Sequence, residues 1–120
     1  MTANTAASRK AKGRKLERYI ADRYVQEGLY PSARPMPMSG SLKEMPGDIW
    51  VDGYSPWIEE CKAQELMKIW EWLSQAEAQA GELGKKPLLH FKRNRSEVYT
   101  VMRFDDFVEM RKQIKGGADK

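Results

Sequence analysis

An aspartate, a glutamate and a lysine in the stretch GDIWVDGYSPWIEECK (residues 47–62) are spaced so that they could share one patch of surface. Asp48 stands before an Asp52-Gly53 turn, and Glu60 and Lys62 stand after it. Asp-Gly between two apolar runs is a strong hairpin signal, and Pro56 is confined to the turn side. Alternate residues of a strand share a face, so Ile58, Glu60 and Lys62 lie together, as do Asp48 and Trp50 on the partner strand. With the turn centred on Tyr54, Asp48 faces Glu60 directly, Cβ atoms about 4.5–5.5 Å apart, where like charges destabilise a sheet by up to about 1 kcal/mol. A divalent cation reverses that sign. Two carboxylates, a backbone carbonyl such as that of Cys61, and waters suit Mg²⁺, with Mn²⁺ as a substitute. Lys62, beside such an ion, could orient or deprotonate a water or stabilise charge on a phosphate oxygen.

On hairpin geometry alone, the more economical reading is that these residues decorate a wet strand edge. A chain of this composition contains about one Glu-x-Lys tripeptide by chance, and it has one. A one-residue slip in register would also throw the two carboxylates onto opposite faces. The elements around the stretch must therefore decide.

Over residues 14–24, Leu16, Tyr19, Ile20 and Tyr24 follow helical spacing with Glu17 beside the stripe, and Gly28 marks the stop. Residues 29–34 read as a short strand before the loop PMPMSGS, and residues 48–51 and 57–62 as an antiparallel pair. Leu66, Ile69, Trp70, Leu73, Ala76 and Ala80 predict a helix over 65–80, with Trp72 and Met67 off its buried stripe. Residues 87–92 and 97–102 bracket RNRS as a second hairpin, and 104–114 close the chain as an amphipathic helix. The order αβββαββα predicts an α/β fold, a mixed sheet covered on both faces. One domain over residues 9–114 is expected, with short tails at 1–8 and 115–120.

Lys and Arg number 21 against 17 Asp and Glu, with a pI near 9.2. The excess is local: Arg9, Lys10, Lys12, Arg14, Lys15, Arg18 and Arg23 crowd the first 25 residues, whereas residues 44–82 are acidic. A basic helix beside an acidic cluster fits an anionic polymer as partner. The single cysteine excludes an internal disulfide, no segment approaches the length of a membrane span, and the N-terminus lacks the apolar run of a secretory signal. A cytoplasmic protein is expected, without a membrane partner or nucleotide cofactor. His90 alternates with Leu89 and Phe91 on a strand and reads as structural, and Cys61 as a small core residue.

Asp48 followed by Glu60-Cys61-Lys62, a preceding helix bearing Glu17 and a following helix and hairpin resemble the PD-(D/E)xK nuclease superfamily. Within it, the chain looks most like the archaeal-type Holliday junction resolvases. The matching pieces are KGRKLERYIADRYVQEG, Arg34 with Ser39-Gly40-Ser41, PGDIWV, IEECK and KKPLLHFKR. The resemblance implies a restriction-endonuclease-like fold and a homodimeric, Mg²⁺-dependent endonuclease cutting two opposed strands of a four-way DNA junction. It makes Asp48, Glu60 and the Cys61 carbonyl metal ligands, with Glu17 near the metal, Lys62 the catalytic lysine, and Ser39 or Ser41 a loop serine at the scissile strand. Arg9, Lys10, Arg14, Lys15, Arg34 and Lys43 become DNA contacts, positioning the backbone without reading bases. Two departures stand out: the usual Pro-Asp is here Pro46-Gly47-Asp48, and the segment between the lysine and the second helix is short. Gln64 and Gln75 are the candidates for a helix glutamine near the site, and a solvated amide is the simpler reading of each. Another small nuclease of the superfamily, acting on duplex, flap or single-stranded DNA, and a non-catalytic DNA-binding module of the same fold are the alternatives.

Overall fold

The computed structural model describes residues 5–37 and 47–118. Its elements are α1 (Ala6–Gln26), β1 (Arg34–Pro35), β2 (Ile49–Trp50), β3 (Trp57–Ala63), α2 (Ile69–Glu82), β4 (Lys86–Lys92), β5 (Tyr99–Val101) and α3 (Phe104–Ala118). This is the expected order αβββαββα. β3, β4 and β5 form a mixed three-stranded sheet: β3 and β4 are parallel, so α2 serves as the crossover between them, and β5 returns antiparallel to β4.

α1 is longer than the periodicity of 14–24 predicts, because both its ends are capped. Thr5 Oγ1 accepts from the Ser8 amide at 3.1 Å. At the other end Gly28 adopts φ 74°, and the Gly28 and Leu29 amides donate to the Val25 and Tyr24 carbonyls, a Schellman closure. The buried side of α1 is Leu16, Glu17, Ile20 and Ala21, while Tyr19, expected inside, is 46% exposed. Leu16 and Ile20 pack with Ile49, Cys61 and Ala63 as the main core cluster, and Tyr24, Val51 and Val98 lean on it. The odd-numbered face of β3 therefore belongs to α1.

Three expectations need correction. The strand over 29–34 shrinks to Arg34–Pro35, since Pro31 and Pro35 remove ladder donors. Residues 48–51 and 57–62 do not form a hairpin ladder: β2 pairs antiparallel with β1, through Arg34 opposite Trp50 and Pro35 opposite Ile49, and β3 takes β4 as its partner. The reason lies at Asp48, whose carboxylate occupies the Cys61 amide that a backbone carbonyl would otherwise take. Finally, α2 is rotated from the expected stripe, with Ala76 and Ala80 inside as expected and Trp72 in place of Trp70. Trp72, Ala76 and Ala80 are buried, whereas Trp70 is 83% exposed and Leu66 precedes the helix. Residues 70 and 72 stand about 200° apart on a helix, so burying one exposes the other, and the i, i+4, i+8 set with two alanines lets α2 approach β3 and β4 closely.

Candidate active site

Asp48 is fixed through three groups. Its amide donates to the Glu59 carbonyl at 2.7 Å, its carbonyl accepts from the Met36 amide at 2.8 Å, and its Oδ2 accepts from the Cys61 amide at 2.8 Å. Gly47 makes this approach possible. It has φ 87°, and a Cβ there would lie 3.2 Å from the Glu59 carbonyl oxygen and 3.2 Å from Ile58 Cγ2. Its amide donates to Gln79 Oε1 of α2 at 3.1 Å. The glycine between Pro46 and Asp48 is thus the residue that seats the aspartate against β3.

The expected register between Asp48 and Glu60 is absent as a ladder, yet the two carboxyls lie close enough to influence each other's ionisation directly. Both are buried, and so is Glu17 on α1. Burial, then the charge of Asp48, pushes the Glu60 carboxyl up to about 8, with Glu17 adding to the rise and Lys62 opposing it. Glu17 is pushed up to about 7 by burial and by Asp48, against Arg14. Asp48 is also raised by burial, although the Cys61 amide and Lys62 favour its ionised form. Burial raises all three acids, Asp48 opposes the ionisation of both Glu17 and Glu60, and one lysine stands half-buried beside them. A wet strand edge does not have this character.

These groups form the floor of a cleft of about 640 Å³ between the N-terminal half of α1, the end of β3 and α2. Its rim carries Arg9, Lys10 and Arg14, and Gln64, Gln75 and Gln79 also line it. Of the expected site residues, the cleft brings together Glu17, Asp48, Glu60, Cys61, Lys62, Arg9, Lys10 and Arg14. Lys15 lines a different groove, and Arg34 lies with its guanidinium 4.2 Å over the Trp50 ring, outside the cleft lining. Ser39, Ser41 and Lys43 lie outside the described residues.

The donor set suits a hard cation, but it is incomplete as a protein cage: among the described residues no three His, Cys, Asp or Glu side chains converge to enclose an ion. Mg²⁺ does not require such a cage, being commonly held by one or two carboxylates with several waters. The Cys61 thiol is buried and raised well above its ordinary pKa by that burial and the surrounding acids, so only its carbonyl suits such an ion.

Sequence reasoning missed two features. Gln79 is one, and its only signal is its place one turn after Gln75 on α2. The other is a buried chain behind the site, in which Tyr24 Oη donates to Glu59 Oε1 at 2.5 Å, His90 Nε2 meets the same oxygen at 2.7 Å, and His90 Nδ1 meets Thr100 Oγ1 at 2.8 Å. It ties α1, β3, β4 and β5 together and satisfies His90, which has a structural role here.

The family model described as "Phage putative PDDEXK endonuclease" matches residues 8–116, a span running from α1 into α3. The chain belongs to this family. Membership places it in the PD-(D/E)xK nuclease superfamily, as the acid, Glu-x-Lys and helix-glutamate pattern implies. The narrower likeness to archaeal-type junction resolvases is not part of the family's description. No curated protein and no solved structure matches the chain. Among the described residues of this PDDEXK-family protein, no helix is long and apolar enough to cross a membrane.

Proposed function

We propose that the protein is a Mg²⁺-dependent endonuclease that hydrolyses phosphodiester bonds in DNA, and that its substrate is a four-way junction cut on two opposed strands. The observation carrying the hydrolytic reading is the buried trio of Asp48, Glu60 and Glu17, each pushed toward its protonated form, beside Lys62 on the floor of a basic-rimmed cleft.

In this reading Asp48 and Glu60 hold the ion with the Cys61 carbonyl and waters, and Glu17 borders the same space. Mg²⁺ there supplies positive charge that lowers the pKa of an attacking water and offsets charge on the phosphate. The chain's own groups do the rest. Arg9, Lys10 and Arg14 hold the phosphate backbone across the cleft mouth. Lys62 orients the water or donates to a non-bridging phosphate oxygen as charge builds there. The water oxygen attacks phosphorus in line with the leaving oxygen, so one P–O bond forms as the opposite one breaks, and the water's proton passes to solvent or the leaving group.

The junction reading rests on the resemblance to resolvases and on symmetry. A four-way junction has approximate two-fold symmetry, so a homodimer with two sites cuts both strands economically. α3 supplies surface for such pairing, with Phe104, Phe107, Val108 and Ile114 exposed. The family description names phage, which favours a virus-encoded enzyme acting inside a host cell. The test is incubation in Mg²⁺ with a four-way junction, a flap and a linear duplex sharing arm sequences. Preferential cutting of the junction, abolished in Asp48→Ala, is expected. Equal cutting of all three would assign the protein to the more general nucleases of its superfamily, and Mg²⁺-insensitive binding without cutting would make it a DNA-binding module.

A further inference from the structure

α1 presents cations to two grooves. Arg9, Lys10, Gly13, Arg14 and Glu17, at helical spacing, face the cleft that holds the acids. Lys12, Lys15, Leu16 and Tyr19, also at helical spacing, line a separate groove of about 560 Å³ on the other side of the helix. Its opposite wall is the turn between β4 and β5, which brings Lys92, Arg93 and Arg95. Five cations thus face one acid, Glu97, in a groove with no carboxylate pair to hold a metal. Ala63 lines both grooves, so they adjoin at the end of β3 with α1 between them.

The turn wall is held in shape. The Arg93 amide donates to Ser96 Oγ at 3.1 Å, the Ser96 amide donates to the Arg93 carbonyl at 3.2 Å, and the Asn94 amide donates to Glu65 Oε2. Arg95 sits at φ 59°, where glycine or asparagine would be the easier residue, and its side chain is exposed. Cations converging from a helix and a braced turn, five against the single acid Glu97, match the repeating negative charge of a phosphate backbone.

We propose that this groove is a second backbone-binding site, occupied by a DNA segment distinct from the one in the catalytic cleft, so that α1 divides two segments where the DNA branches. The proposal rests on the nuclease reading for the occupant of the first cleft, but not on cleavage itself. It supplies a structural reason for a branched substrate: a continuous duplex would engage one groove, and a branch point both.

Binding without cleavage separates the two ideas. Fluorescence anisotropy in Ca²⁺ would compare a labelled four-way junction with a linear duplex as long as two stacked arms, using the full chain and the variants Lys12→Gln and Arg93→Gln/Arg95→Asn. Asparagine at 95 tolerates the left-handed backbone, and unfolding temperatures of both variants should match the parent. For the paired variant, junction affinity should fall roughly tenfold and the slope of log affinity against log salt by about 2, and for Lys12→Gln the slope by about 1. Linear duplex binding should change less than twofold. Equal losses on junction and duplex, or no loss on either, would overturn the proposal. Selective loss in a protein that cuts no DNA in Mg²⁺ would uphold the groove and overturn the nuclease reading.

Discussion

Asp48 shows how one residue can set both a local fold and a site. It holds β3 with its amide and carboxylate and the Met36 segment with its carbonyl, and it reaches β3 only because Gly47 has no side chain. Gly47→Ala should therefore lose about 1–2 kcal/mol to the left-handed backbone alone, with a further loss from the clash at Glu59. Urea denaturation measures it, and an unchanged midpoint would mean that Gly47 is incidental. The pH dependence follows from Glu60 and Glu17, raised from 4.5 to about 8 and about 7. The folded chain keeps protons that the unfolded chain releases, so the stability these groups contribute is full below about pH 4.5 and is lost as pH rises toward 8. The melting temperature without metal should fall across that window. Mg²⁺ should flatten the fall, because a cation takes the place of the protons, and Glu60→Gln should flatten it without metal. That Asp48, Glu60, Lys62 and Glu17 lie together was legible through the resemblance to PD-(D/E)xK nucleases, whereas the hairpin register that alternation suggests is not the one formed. The Tyr24, Glu59, His90 and Thr100 chain was not legible, since it depends on a parallel register that places Cys61 beside His90 across a whole crossover.

At the level of elements, periodicity reveals where helices and strands lie but not which strand pairs with which. β2 has two residues, too few for alternation to specify a partner, and the Asp-Gly turn signals a hairpin that the Asp48 carboxylate pre-empts. The phase of α2 is hidden for a related reason: Leu66 and Trp70 extend an apolar stripe on paper, but the helix starts at Ile69 and packs through its alanines. Trp72→Ala should consequently cost about 3–5 kcal/mol, and Trp70→Ala little, as read by thermal melts. A reversed ranking would place the helix on its other face. α1 bears a related test. It has no acid in its first turn and carries cations in its N-terminal half, where the helix dipole disfavours them, an arrangement that favours a bound anion. A methyl group added at Gly13, on the cleft side, would meet nothing within 4 Å. Gly13→Ala should stabilise the helix by about 1 kcal/mol while weakening DNA binding if a backbone passes there. Stabilisation with unchanged affinity would move the DNA away from this face.

For the whole molecule, the net charge of +4 is less informative than its division. Acids sit on the cleft floor, cations sit on the rims of two grooves, and the exposed apolar residues of α3 lie on an element that touches the rest of the fold lightly. That division suits a protein that grips a polyanion and concentrates a cation at one point along it. The central claim is that this point is a metal-dependent hydrolytic site built from Asp48, Glu60 and Lys62. Its most direct test is single-turnover cleavage of a labelled four-way junction in Mg²⁺ by the parent, Asp48→Asn and Lys62→Ala, with DNA affinity measured in parallel in Ca²⁺. Both variants should cut at least about 100-fold more slowly while binding within a few-fold of the parent, and EDTA should stop the parent altogether. Cleavage that survives EDTA, or that persists undiminished in either variant, would contradict it.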